Sequence, residues 1–454
     1  MARNSTKDLT KGSPFKLIIG FMVPLLLGLV FQQIYNMVDT FIVGRVLGVE
    51  ALAGVGSTGC INFLIIGACV GLCSGFAIPV ARKFGEGDHE GLKNYVGNIF
   101  WLAIIFSAIL TLVCTTFCNS ILTLMDTPTE TFSYAYNYIF VIFLGIPVTI
   151  SYNVLAGLMR SVGDSKTPLI ILIFASMINV GLDILFVAVI GMGVSGAALA
   201  TVISQSFSAV TCFLVIVKRF DILHPKKSNF KPRGKYISNL CVMGLPMAIQ
   251  YSITGIGTVV LQKAVNSLGA LCMATMASSA KVASFLITPF EALGNTMATY
   301  AGQNIGAGRP DRIRKGLRVA LLVGTIYAIL AFVFLFFFGG KIAAIFTDDP
   351  SLGIEPLAKL YLSINSAGYV LLLLVNSTRF LIQGIGYAKI AIFAGVMEMI
   401  ARSIAGFVLV PSLGFLGACF SNPLAWLFAD ILLIPMYFIC MRRVERKKSI
   451  QNTI

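Results

Sequence analysis

The chain has 454 residues, 57% of them hydrophobic and only 12% charged, with a mean hydropathy of +0.89. A water-soluble domain is about one quarter charged, so this balance excludes one and predicts an all-α integral membrane protein. A net charge of +15 would suit nucleic acid, but the basic residues gather in loops on one side of the predicted topology, and no nucleic-acid partner is expected.

Apolar runs recur near residues 15–43, 52–80, 95–118, 132–159, 168–190, 194–217, 239–265, 273–304, 317–340, 357–386, 388–410 and 414–440. Most exceed the ~20 residues that cross hydrocarbon as a helix, so twelve spans are expected. The first run is too long for a cleavable signal peptide and lacks a small-residue cleavage site. Within it, Gln32, Asn36 and Asp39 recur at helical spacing and form one polar stripe. A charge in hydrocarbon costs at least ~2.5 kcal/mol, which predicts that Asp39 faces protein or water. Pro24 lies fifteen residues earlier, removes one backbone hydrogen bond and marks a place where the helix can bend.

Spans four to six add polar residues. Tyr138, Thr149 and Asn153 dot the fourth; Asn179 and Asp183 lie one helical turn apart in the fifth, with Ser176 on the same stripe. Thr201, Ser204, Gln205 and Ser208 line the sixth. All could face one pocket, in which two acids share a dry site and titrate as a pair. The oxygens of Asp39, Asn179, Asp183 and Thr201 could equally hold Na⁺, so H⁺ and Na⁺ both stay open. A lone intramembrane Asp can also cap a broken helix or pair with a Lys, but no basic residue is expected inside the first six spans.

Between spans six and seven lies the longest loop, with Lys226, Lys227, Lys231, Arg233 and Lys235, a cytoplasmic linker suited to anionic lipid. With the N-terminus inside, 27 of the 34 Lys and Arg fall in inner segments and four in outer loops. That asymmetry places both termini in the cytoplasm of a multi-pass cell (inner) membrane protein. The linker divides the chain into a first lobe at 1–218, a linker at 219–238, a second lobe at 239–441 and a basic tail at 442–454.

The two halves match at an offset of about 222 residues, Pro24 against Pro246. Phe84-Gly85-Glu86-Gly87 matches Ile305-Gly306-Ala307-Gly308, Arg160 to Gly163 matches Gln383 to Gly386, and Gly193 to Ala197 matches Gly414 to Ala418. Each half has six spans and enters from the same side, so a pseudo-twofold axis along the membrane normal is expected, with two lobes around a central cavity. The second half carries different polar residues. Gln250 lies in span seven, and Asn376, Arg379 and Gln383 share one face of span ten. Glu398 and Arg402 in span eleven are four apart and should neutralise each other, while Lys281, Glu291 and Asp430 have no assigned role.

Other chemistries lack candidate residues. The ten cysteines sit mostly in apolar spans with neither metal nor disulfide spacing. Both histidines, His89 and His224, fall in loops, and the glycine-rich pieces lack the Lys-Ser/Thr pair of a phosphate loop. No enzyme activity and no cofactor are expected.

Gly302-Gln303-Asn304-Ile305-Gly306-Ala307-Gly308 at the end of span eight, with the paired six-span repeats, resembles the multidrug and toxic compound extrusion (MATE) family. Pro79 to Gly85, Leu158 to Asp164, and Asp39 within Tyr35 to Thr40 carry the same resemblance, which covers about residues 12–445. It implies a MATE-type fold and antiport, a cation running inward while a cationic or amphipathic organic compound leaves. In the DNA-damage-inducible-F-like branch the cation site lies in the N-terminal lobe, at positions that fall here on Asp39, Asn179, Asp183 and Thr201, with the bending proline at Pro24. Drug-contacting positions fall on Gln32, Tyr138 and Asn153, and Asn36 joins them on the stripe. Other branches carry acids in spans seven and ten that this sequence lacks. The expected state is a monomer with lipid around it. The rival expectations are a lipid or lipid-linked saccharide flippase of the wider superfamily, and an ion channel, which would repeat its acidic rings in both halves.

Overall fold

The computed structural model describes residues 6–125, 127–346 and 353–453. Among the described residues ten helices are long and apolar enough to cross a membrane, and the spans number up to twelve if each of two bent helix pairs is one span. In chain order they are Pro14–Leu47, Gly59–Glu86, His89–Thr116, the pair Thr129–Leu144 and Ile146–Ser161, Lys166–Val189 and Val194–Arg219. The second set is Gly234–Asn266, Ala270–Gly306, Pro310–Ile345, the pair Glu355–Ala367 and Tyr369–Gly384, Lys389–Leu413 and Ser421–Ile450. Helices are what such runs must form, because a lipid environment leaves backbone N–H and C=O groups no partner but each other.

Spans four and ten bend by 48° and 45° at Gly145 and Gly368, at matching places in the repeat. A Cβ at Gly145 would sit 2.5 Å from Val202 Cγ2 of span six, so any larger residue there would have to displace that side chain. Spans five and eleven share a second irregularity, a wide π turn at Ile184–Val189 and at Ala405–Leu409.

The chain divides into two compact units. One contains the residues up to Asp8 and Leu27–Ala248; the other contains Leu9–Leu26 and Ile249 onward. Spans one and seven are therefore each split, and both splits fall just past a proline, Pro24 and Pro246. The first unit has its own core around Leu72, Phe76, Ile99 and Phe143. There spans two and seven meet at Gly75 and Gly244, where a Cβ on Gly75 would lie 2.5 Å from Gly244 Cα, so only glycine permits that approach.

The linker is held down rather than loose. It forms two short 3₁₀ turns, Asp221–Leu223 and Lys227–Phe230, and the next helix already starts at Gly234. Asn229 Nδ2 donates to Glu90 Oε1 at 2.6 Å and Asn94 Oδ1 at 3.0 Å, and Trp101 Nε1 donates to the Phe230 carbonyl at 2.7 Å. Arg160, expected in a loop, is on the last turn of Ile146–Ser161, so the first half does carry a basic residue within a span.

The second unit packs around Phe21, Phe290, Tyr300 and Tyr369. Its glycine-rich motif does more than turn the chain. Gln303 Oε1 accepts from the Leu9 N–H at 2.9 Å, Asn304 Nδ2 donates to the Leu9 carbonyl at 3.3 Å, and Arg312 donates to the Gly12 carbonyl at 2.9 Å. In the first unit the Lys7 N–H donates to the Val162 carbonyl at 3.0 Å. Gly163 beside it has a φ of +90°, and a Cβ there would run into the Lys7 carbonyl oxygen.

Candidate functional site

The site is built on spans one, four and five of the first unit. Asp183 is the last residue before the π turn of span five, and Asn179 lies one turn earlier on the same face. They are 0% and 1% exposed, yet both oxygens of Asp183 and both polar atoms of Asn179 lack a hydrogen-bond partner, as does Asp39 Oδ1. A buried polar atom left unsatisfied costs ~1–3 kcal/mol, so a group of them is tolerated only where something else offsets that cost. Clustered carboxylate and amide oxygens are the chemistry that accepts a proton or a hard cation.

Two tyrosines complete the cluster. Asp39 and Asp183 lie within electrostatic reach of each other, and both act on Tyr35 and Tyr138. Four groups from three helices therefore converge. Gln32 Nε2 donates to Tyr35 Oη at 3.5 Å. Tyr35 is the member that polar-stripe reasoning passed over, although it sits four residues before Asp39, one turn along the same helix.

The remaining positions are more self-contained. The Thr201 hydroxyl donates to the Ala197 carbonyl of its own helix at 3.2 Å. Asn153 Nδ2 donates to the Thr149 carbonyl at 2.8 Å, and the Thr149 hydroxyl donates to Gln205 Oε1 at 2.7 Å. Asn36 is exposed, and its carbonyl accepts from Thr40. Pro24 lies inside a helix that runs unbroken from Pro14 to Leu47.

In the second unit the polar residues singled out by sequence bond one another in part, although Gln383 Oε1, Arg379 Nε and both Asp430 oxygens have no hydrogen-bond partner. Gln383 Nε2 donates to Gln250 Oε1 at 3.1 Å, and Arg379 Nη2 donates to Asn376 Oδ1 at 2.8 Å. The expectation that Glu398 and Arg402 neutralise each other is incomplete. Glu398 reaches Arg379 on span ten at 2.9 Å and Arg402 at 3.4 Å, so it bridges two arginines. Glu291 is exposed and within electrostatic reach of Tyr251 and Arg379. Asp430 is deeply buried.

The MatE family pattern matches residues 24–185 and 246–408, once in each half. A probable multidrug resistance protein YoeA of Bacillus subtilis is 29% identical over 76% of this chain and 76% of its own length. An FAD transporter of Shewanella oneidensis is 24% identical over 74% of this chain and 75% of its own. Among solved structures, a crystal structure of MATE in complex with MaL6 superposes with a TM-score of 0.90 at 23% identity, covering 98% of this chain and 100% of that one.

Proposed function

The chain belongs to the MATE family of transport proteins and is not an enzyme, and we propose that it is a multidrug efflux antiporter driven by H⁺ or Na⁺. The observation that carries this reading is the set of unpartnered, buried polar atoms on Asp39, Asn179 and Asp183. In the proposed cycle these residues, with Thr201, take up the coupling ion in the first unit. Ionised, the two acids attract a cationic or amphipathic organic compound held by Gln32, Asn36, Tyr138 and Asn153; neutralised, they do not. Ion and cargo thus bias one two-state element in opposite directions, which is the thermodynamic requirement for exchange. Pro24 supplies the weak point at which span one bends as the site fills. The protein works as a monomer in the cell (inner) membrane, with both termini cytoplasmic.

A phosphate-bearing cargo, such as the name of the Shewanella relative carries, or a lipid-linked saccharide would call for unengaged basic groups. Arg379 and Arg402 are both bonded to Glu398, so neither of these guanidiniums is left unengaged for such a cargo. The test is ethidium efflux by the purified protein in liposomes, with pH and sodium gradients imposed separately. Asp39→Asn and Asp183→Asn are each expected to abolish gradient-driven efflux. Undiminished efflux from either variant removes that residue from the mechanism, and undiminished efflux from both overturns the reading.

A further inference from the structure

The second unit holds a buried charge cluster that the exchange cycle above does not use. Glu398 on span eleven binds Arg379 of span ten at 2.9 Å and Arg402 of its own helix at 3.4 Å. Asp430 on span twelve lies within electrostatic reach of Arg379 and Glu398. Two arginines and two carboxylates would balance, but the pairing is uneven: Glu398 takes both guanidiniums, and Asp430 takes none. Asp430 is 2% exposed, and neither of its oxygens has a hydrogen-bond partner. Arg379 Nε is a second buried atom without a partner in the same cluster.

An ionised carboxylate stripped of water and given no donor is among the most costly groups to bury, several kcal/mol or more. A proton on either oxygen removes the charge at once. The positive charge of Arg379, within electrostatic reach, attracts the deprotonated form, so both states have a physical rationale at one position. The groups facing Asp430 from the packed helices support this reading. Span ten offers Arg379, and span eleven offers Glu398 with Arg402 behind it. Tyr361 of Glu355–Ala367 is engaged two turns away by Asn422, and Arg314 of span nine by Glu445 near the far end of span twelve. At the repeat offset, Asp430 corresponds to Ser208, whose hydroxyl bonds the Ser204 carbonyl, so this acid has no twin in the first unit.

We propose that Asp430 is a second proton-binding residue, separate from Asp39 and Asp183, framed by the fixed charges of Arg379, Glu398 and Arg402. Its consequence for transport rests on the antiport reading: each unit then binds its own proton. The binding itself does not depend on that reading.

Infrared difference spectroscopy of the full-length protein in lipid, between alkaline and acidic buffer, reads neutral carboxyl groups directly. A carboxylic-acid carbonyl band that shifts in deuterium oxide is expected, lost in Asp430→Asn and retained when Asp39→Asn and Asp183→Asn are combined. Asp430→Glu should displace the band without removing it, which separates loss of the proton from loss of the fold. A parallel acid titration should count one proton fewer per molecule of Asp430→Asn. An unchanged band and an unchanged proton count in Asp430→Asn overturn the proposal, even if Asp39→Asn abolishes efflux and the antiport reading stands. A band assigned to Asp430 in a protein whose efflux ignores every gradient upholds the site and removes the antiport reading instead.

Discussion

Replacing Glu398 with Gln tests how spans ten and eleven are joined. Its oxygens lie 2.9 and 3.4 Å from two guanidiniums, and the Glu398, Arg379 and Arg402 side chains are 5%, 12% and 9% exposed. Through an effective dielectric of ~20, a contact at this range is worth roughly 5 kcal/mol of raw attraction. Most of that offsets the lost hydration of three charged groups, so the cluster adds little net stability while intact. The amide keeps the shape and one acceptor but removes the charge, leaving two arginines buried beside each other. Breaking such a cluster costs ~3–5 kcal/mol. Adding Arg402→Gln removes one of the two uncompensated cations and should restore part of that loss. Thermal unfolding of detergent-purified protein should therefore rank the parent first, the double variant next and Glu398→Gln last. A single variant as stable as the parent, or a double variant below the single, refutes the bridging role.

Two further predictions address the polar ends of the helices. Gly163→Ala puts a Cβ against the Lys7 carbonyl oxygen at a left-handed φ; the conformation alone costs ~1–2 kcal/mol, and the Lys7–Val162 hydrogen bond goes with it. The segment should detach, and trypsin should cut after Lys7 several-fold faster; an unchanged rate refutes the contact. Asp88 caps the helix His89–Thr116, and the Lys83 ammonium at 2.8 Å, aided by the Gly91 N–H, holds its carboxyl below the usual carboxylate range. A depressed folded value means that its stabilisation is complete above the unfolded value of ~3.9 and is lost as pH falls through the folded one. Asp88→Asn keeps the capping acceptor and drops the ion pair. Its melting midpoint should trail the parent at neutral pH and converge with it in acid, and a gap independent of pH refutes the assignment.

Hydropathy alone was enough to locate the apolar spans, because hydrocarbon imposes helices and each run is long enough to need one. The offset between Pro24 and Pro246 was equally visible, since a repeat preserves punctuation even when side chains diverge. What stayed hidden depends on partners distant in sequence. Nothing near Gln303 and Asn304 announces that they grip the backbone of Leu9, almost three hundred residues away. Glu398 has Arg402 one turn along its own helix, so the shorter contact to Arg379 on another helix was masked by the local one. The bends at Gly145 and Gly368 were also missed, because glycine inside an apolar run reads as packing until its neighbours are known. In the candidate site, polarity marked Asp39, Asn179 and Asp183, whereas Tyr35 was overlooked because an aromatic ring blends into a greasy helix.

The π turns carry a consequence for how such a chain can change. Each is an α-helix holding one surplus residue, and Asp183 stands directly before one while Arg402 stands three residues before the other. Losing that surplus would swing the preceding stretch by ~100° about the helix axis and shift it by ~1.5 Å. A single-codon deletion could thus redirect a buried ionisable side chain while every crossing of the bilayer stays intact, a route to new cargo that leaves hydropathy untouched.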